Sequence, residues 1–96
     1  MEFKLIEATI RHKPILENLL ELYAYDLADS AKFDLGDNGY YGYKDLPLYF
    51  KEDNRYPYIL YIEKKIAGFV FIHKLIDDEI FDMAEFFIMR KYRKME

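Results

Sequence analysis

The sequence contains no cysteine, which excludes disulfides, thiol nucleophiles and cysteine-based zinc sites in one step. It fits a reducing compartment, and a cytoplasmic protein is the expectation. Histidine is nearly as scarce: His12 and His73 are the only two and stand far apart, so a metal site built on imidazole is not expected. Ser30 is the only serine, and no His or Asp stands at a spacing that would make it a triad nucleophile. No apolar run reaches the roughly 20 residues that a membrane span needs, and Met1-Glu2-Phe3-Lys4 does not open a signal peptide. Nor is there an excess of positive charge. The formal net charge is −4, which argues against broad nucleic-acid binding, since that rests on neutralising phosphates.

What is present is a globular chain. Of 96 residues, 52% are hydrophobic and 33% charged, enough apolar surface for one small domain and too much for disorder. Ten Tyr and eight Phe supply large core side chains and many hydroxyls that need partners. Residues Phe3 to Ala8 alternate loosely and predict a strand. From Pro14, the apolar residues Ile15, Leu16, Leu19, Leu20, Leu22, Tyr23 and Leu27 recur at intervals of three and four. Glu17, Asn18, Glu21 and Asp26 mark the wet face, and Asp29 and Ser30 the end of this helix. Residues 31–45 read as a loop rich in glycine that also carries Tyr40, Tyr41 and Tyr43. Leu46 to Glu52 predicts a short helix, with Asp45 near its cap and Pro47 in its first turn.

The remainder reads as three antiparallel strands: Tyr56–Ile62, Ile66–Leu75 and Ile80–Met89. Glu63-Lys64-Lys65 forms one turn and Asp77-Asp78-Glu79 the other. Ala67-Gly68 signals a bulge or a close backbone approach. Val70-Phe71-Ile72 and Phe86-Phe87-Ile88-Met89 are apolar at consecutive positions, the pattern of strands covered on both faces. The helices can cover one face, so the other is expected to meet a second copy or a further piece. The fold class is therefore α+β, in the order β-α-α-β-β-β, as one domain over residues 1–96.

Three features carry a family resemblance. Ile66-Ala67-Gly68-Phe69 after a charged turn is similar to the third strand of the GNAT N-acetyltransferases, hydrophobic-x-Gly-hydrophobic. Ala84-Glu85-Phe86-Phe87-Ile88-Met89 resembles their fourth strand. Arg90-Lys91-Tyr92-Arg93-Lys94-Met95 resembles the lead-in to their phosphate loop, x-x-Tyr-Arg-x-x-Gly-x-Gly. The whole chain resembles the first half of that fold, a truncated GNAT-like domain, with Glu96 standing where the first loop glycine would be.

The resemblance implies acetyl transfer from acetyl-CoA to a small amine. It implies cofactor contacts at Phe87, Ile88, Met89, Arg90, Arg93 and Lys94, and Tyr40, Tyr41 and Tyr43 beside the acceptor. Its general base would be Glu85 or Asp82. Strand alternation sets Asp82 on one face with Ala84, Phe86 and Ile88, and Glu85 on the other with Met83 and Phe87, unless a bulge intervenes. The plainer readings stand beside these. Both carboxylates fit as solvated strand residues, the basic run as a tail, the tyrosine loop as a core lid and His73 as a structural histidine. His12 reads as a cap-region residue. The competing function is a non-enzymatic module that self-associates, as a homodimer, through the uncovered sheet face or the edge of the fourth strand.

Overall fold

The computed structural model describes residues 2–31, 33–75 and 80–93. Strand β1 (Phe3–Glu7) leads through a 3-10 turn (Ile10–His12) into helix α1 (Lys13–Ala31). The 3-10 turn ahead of it is capped where His12 Nδ1 accepts the Thr9 N–H at 2.9 Å, so His12 is the cap-region residue expected. The helix runs one residue past Ser30, whose hydroxyl turns back to the Leu27 carbonyl. Leu16, Leu19, Leu20 and Ala24 form its buried stripe. Leu22, counted with that stripe in the sequence, lies outside it and is exposed.

The short helix α2 is confined to Leu48–Lys51. Asp45 acts there through its backbone carbonyl, which accepts the Leu48 N–H, and no side chain caps the helix. Strands β2 (Arg55–Ile62), β3 (Lys65–Lys74) and β4 (Phe81–Ile88) follow, then one helical turn, α3 (Arg90–Arg93). The four strands form one antiparallel sheet in the order β1-β2-β3-β4. The first hairpin turn is tighter than expected. Lys65 already pairs with Ile62, leaving Glu63 and Lys64 alone in the turn, both at positive φ. The turn read at Asp77–Glu79 falls outside the described residues.

Two register shifts shape the sheet. Leu60 pairs with Gly68 but Tyr61 with Ile66, so Ala67 is an extra residue in β3. Phe71 pairs with Glu85 but Ile72 with Met83, so Ala84 is an extra residue in β4. Gly68 answers to a close approach: a Cβ there would lie 1.9 Å from the Phe87 carbonyl oxygen of the neighbouring strand.

The core lies between α1 and one face of the sheet. Leu16, Ile59, Phe69 and Phe71 are fully buried in it, with Tyr49 and Phe87 packed alongside. The rings of Phe69, Phe71, Tyr23, Tyr49 and Phe87 contact one another with centroids 4.3–5.9 Å apart. The opposite face has a smaller buried patch of Leu60, Ile62 and Ala67. Tyr92 of α3 packs against that patch, but the same face presents Phe3, Leu5, Phe81, Met83 and Phe86 largely to solvent, so among the described residues it is covered only in part, where the unalternating strands lead one to expect cover. No helix among the described residues is long and apolar enough to cross a membrane.

Candidate functional site

The bulge at Ala84 decides which carboxylate matters. Phe69 and Phe71 point into the helix-side core, and their partners across the ladder are Phe87 and Glu85. Glu85 therefore points toward α1, on one face with Phe87 as the alternation predicts, while the bulge puts Met83 on the other face. The extra residue also turns Asp82, opposite His73, onto the same face, which corrects the expectation that the two carboxylates oppose each other. They still differ in surroundings. Asp82 is exposed at the start of β4, whereas Glu85 is half-buried beneath the tyrosine loop.

Two phenols hold Glu85. The Tyr23 hydroxyl, from α1, donates to Oε1 at 2.5 Å. The Tyr43 hydroxyl, from the loop, donates to Oε2 at 3.1 Å. Burial, together with the carboxylate beside them, pushes both phenols well above their ordinary range, so each remains a donor through neutral pH. Behind Tyr43, burial also raises Tyr49, against the pull of the adjacent Arg55 and Tyr43. Among the described residues, the buried Tyr49 hydroxyl has no hydrogen-bond partner.

The loop is tied down by a residue that the helical pattern places on the wet face. Glu21 Oε1 accepts the Tyr41 N–H and Oε2 the Gly42 N–H, each at 2.8 Å. Gly42, at φ 75, takes the left-handed conformation that points both amides at one carboxylate. A half-open cleft of about 240 Å³ lies between α1, the loop and β4, with Tyr23, Phe33, Asp34, Tyr41, Tyr43 and Glu85 on its walls. Tyr40 does not reach this cleft. It is 61% exposed and borders a second groove of about 580 Å³ on the other side of the loop, which Tyr43 also lines. Of the three loop tyrosines, then, Tyr41 and Tyr43 meet Glu85's cleft and Tyr40 does not.

The candidate cofactor residues lie at the end of β4. The Phe87 side chain is core, and the half-buried Ile88 and Met89 pack against the two apolar clusters. Arg90 and Arg93 are engaged by α1. Asp26 Oδ1 takes Arg90 at 2.7 Å, and Oδ2 takes Arg93 at 2.6 Å. These bonds, Arg90's first, hold the Asp26 carboxyl below its ordinary range. Arg93 Nε also donates to the Ile88 carbonyl. Two guanidinium groups against one carboxylate leave one positive charge in surplus. Lys94 falls outside the described residues. His73 is structural, its Nε2 lying 3.2 Å from the Asn54 amide. Among the described residues, no group of three His, Asp or Glu side chains is placed to hold a metal ion.

Tyr23, Glu21 and Asp26 were not singled out as site residues in the sequence. Tyr23 had a readable signal, a phenol on an apolar stripe whose hydroxyl must find a partner. Glu21 and Asp26 had none, because their partners lie twenty or more residues away.

No protein-family model and no curated protein matches the sequence. The fold does have a counterpart among solved structures. A ribosomal-protein-alanine N-acetyltransferase from Brucella melitensis biovar Abortus 2308 superposes with a TM-score of 0.66 at 11% identity, over 99% of this chain. The chain has a GNAT-like fold. It spans 62% of the length of that neighbour. The GNAT-like frame accounts for the one sheet, with its N-terminal strand and helix ahead of the antiparallel meander, and places Glu85 on the fourth strand.

Proposed function

We propose that the chain carries the amine-accepting part of an acetyl-CoA-dependent N-acetyltransferase site, with Glu85 as general base. The observation that carries the reading is Glu85 itself. A GNAT-like fourth strand bulges at Ala84, and the carboxylate beside the bulge is held by Tyr23 and Tyr43 in an aromatic cleft. A carboxylate has about four acceptor positions, and the two phenols fill two of them. The remaining lone pairs take a proton from an acceptor ammonium, directly or through one water, leaving the amine nitrogen free to attack. Tyr23 and Tyr43 fix the carboxylate's direction, so the geometry is set before the acceptor arrives.

The residues at the end of β4 fit a phosphorylated thioester in charge and in access. Arg90, Arg93 and Lys91 give a positive surplus, and β4 is the edge of the sheet, so its outer backbone groups have no strand neighbour among the described residues. Phe87, Ile88 and Met89 would hold the cofactor through their backbones. When bound, acetyl-CoA supplies the thioester whose acetyl group passes from sulfur to nitrogen. Titrating the chain with acetyl-CoA by calorimetry tests this part. The reading expects a Kd in the micromolar range, about −8 kcal/mol. No heat at millimolar ligand would mean that this chain does not hold the cofactor.

The partly covered face, with Phe3, Leu5, Phe81, Met83 and Phe86 exposed, favours a second reading in which copies of the chain pair across it. Light scattering at high micromolar concentration tests it. A dimer that Phe86→Ser dissolves supports pairing, and a well-folded monomer excludes it.

A further inference from the structure

We infer that the cleft under the tyrosine loop selects a primary ammonium carried on a compact apolar body, and rejects a peptide N-terminus. As a statement about the acceptor it rests on the acetyltransferase reading; as a statement about binding it stands alone.

Four observations carry it. The charged side chains on the cleft wall, Asp34 and Glu85, are both acidic, and among the described residues no Lys, Arg or His joins them. The Glu85 oxygens already accept two phenol hydrogens, so what they still lack is donors, and an ammonium offers three. The rest of the wall is aromatic and aliphatic: Phe33, Tyr23, Tyr41 and Tyr43, with leucines of α1 below. Ring faces attract a cation and accept an apolar body, which an anion or a strongly hydrated chain does not exploit. Finally, the volume of about 240 Å³ holds about eight waters' worth of ligand, at about 30 Å³ each.

The same wall disfavours a peptide. The loop amides nearest the cleft, of Tyr41 and Gly42, are both spent on Glu21. A peptide's own amides would enter against apolar side chains without partners, which is costly. Glu21 also ties the loop to α1 through both of those loop amides.

The test is a titration of the isotope-labelled chain followed by amide chemical shifts, without acetyl-CoA. The probes are benzylamine, its neutral isostere benzyl alcohol, and the dipeptide Ala-Ala. Benzylamine is expected to shift residues around Tyr23, Phe33, Tyr41 and Glu85, with a Kd at least tenfold below that of benzyl alcohol or Ala-Ala. Glu85→Gln should erase the preference over the alcohol while its spectrum stays folded. Equal affinity for amine and alcohol in the natural chain, tighter binding of Ala-Ala, or shifts confined to the groove beside Tyr40 would each overturn the inference, and none of these needs the variant. Its failure is separable from that of the acetyltransferase reading. Amine binding with no acetyl transfer sinks only the latter. Transfer to Ala-Ala with no benzylamine binding sinks only the former.

Discussion

Replacing Gly68 by Ala sets two known effects against each other, and the structure says which wins. Gly68 is not held at positive φ, so alanine can adopt its backbone. By unfolded-state entropy alone, the change would stabilise the fold by about 0.4–1 kcal/mol. Yet the new methyl carbon would lie 1.9 Å from the Phe87 carbonyl oxygen and 2.9 Å from its carbon. Relief requires β3 and β4 to part by about 1 Å or more, since carbon contacts are favourable only near 3.5–4 Å. The obstructing atoms are backbone, and they sit in a ladder where Gly68 pairs with Ile88 and Phe69 with Phe87. Overpacking of this kind costs typically 1–3 kcal/mol, and a rigid strand places it at the upper end, about 3 kcal/mol. For a domain of this size, that lowers Tm by roughly 15 °C. Thermal unfolding followed by circular dichroism reads it directly. An unchanged or raised Tm would show that the strands are not this close at Gly68 and would refute the packing described for β4.

Tyr23→Phe and Tyr43→Phe each remove a hydrogen bond to a carboxylate that water can partly reach, so each should cost about 1 kcal/mol in urea unfolding. The double variant should depart from additivity because both phenols hold one group. Tyr23, Tyr43 and Tyr49 keep their protons in the fold beyond the ordinary tyrosine value of 10.0, so they stabilise fully below that pH. As pH rises above it, the unfolded state loses protons that the fold retains, and stability falls. Urea midpoints at about pH 8 and about pH 11, beside a tyrosinate absorbance titration, check this. Asp26→Asn should free Arg90 and Arg93 and speed amide exchange at the end of β4. Because the Asp26 carboxyl is held below its ordinary 3.8, its contribution is present above that pH and fades as pH falls. Wild type and variant should therefore converge in acid, as denaturant midpoints across pH would show. Lys64→Gly should stabilise by about 1 kcal/mol, since Lys64 holds φ 68, where glycine alone is unstrained.

Much of this fold is legible in the sequence because its signals are local. Helix α1 follows from Leu16, Leu19 and Leu20 at helical spacing. The three later strands follow from their apolar runs, and Gly68 announces the close approach it makes. The unalternating residues Phe86 to Met89 mark a sheet with more apolar surface than the helices cover. The site is less legible because it is built from distant pieces. Strand parity separates Asp82 from Glu85, and only the inserted Ala84, visible in the pairing of β3 with β4, reverses that. Glu21 and Asp26 look like solvated helix residues until the loop amides and the two arginines arrive against them. The Tyr loop reads as one unit in sequence, but Gly42's left-handed turn splits it, sending Tyr40 to one side and Tyr41 and Tyr43 to the other.

The central claim is that Glu85, in its phenol-lined cleft, deprotonates the amine that is acetylated. The most direct measurement is release of free CoA from acetyl-CoA in the presence of benzylamine, with the acetylated amine confirmed by mass, for the natural chain, Glu85→Gln and Asp82→Asn. The account predicts release matched to product in the natural chain, a loss of about 100-fold or more in Glu85→Gln, and no change in Asp82→Asn, whose carboxylate lies outside the cleft. Release that survives Glu85→Gln, or that falls with Asp82→Asn instead, would contradict it.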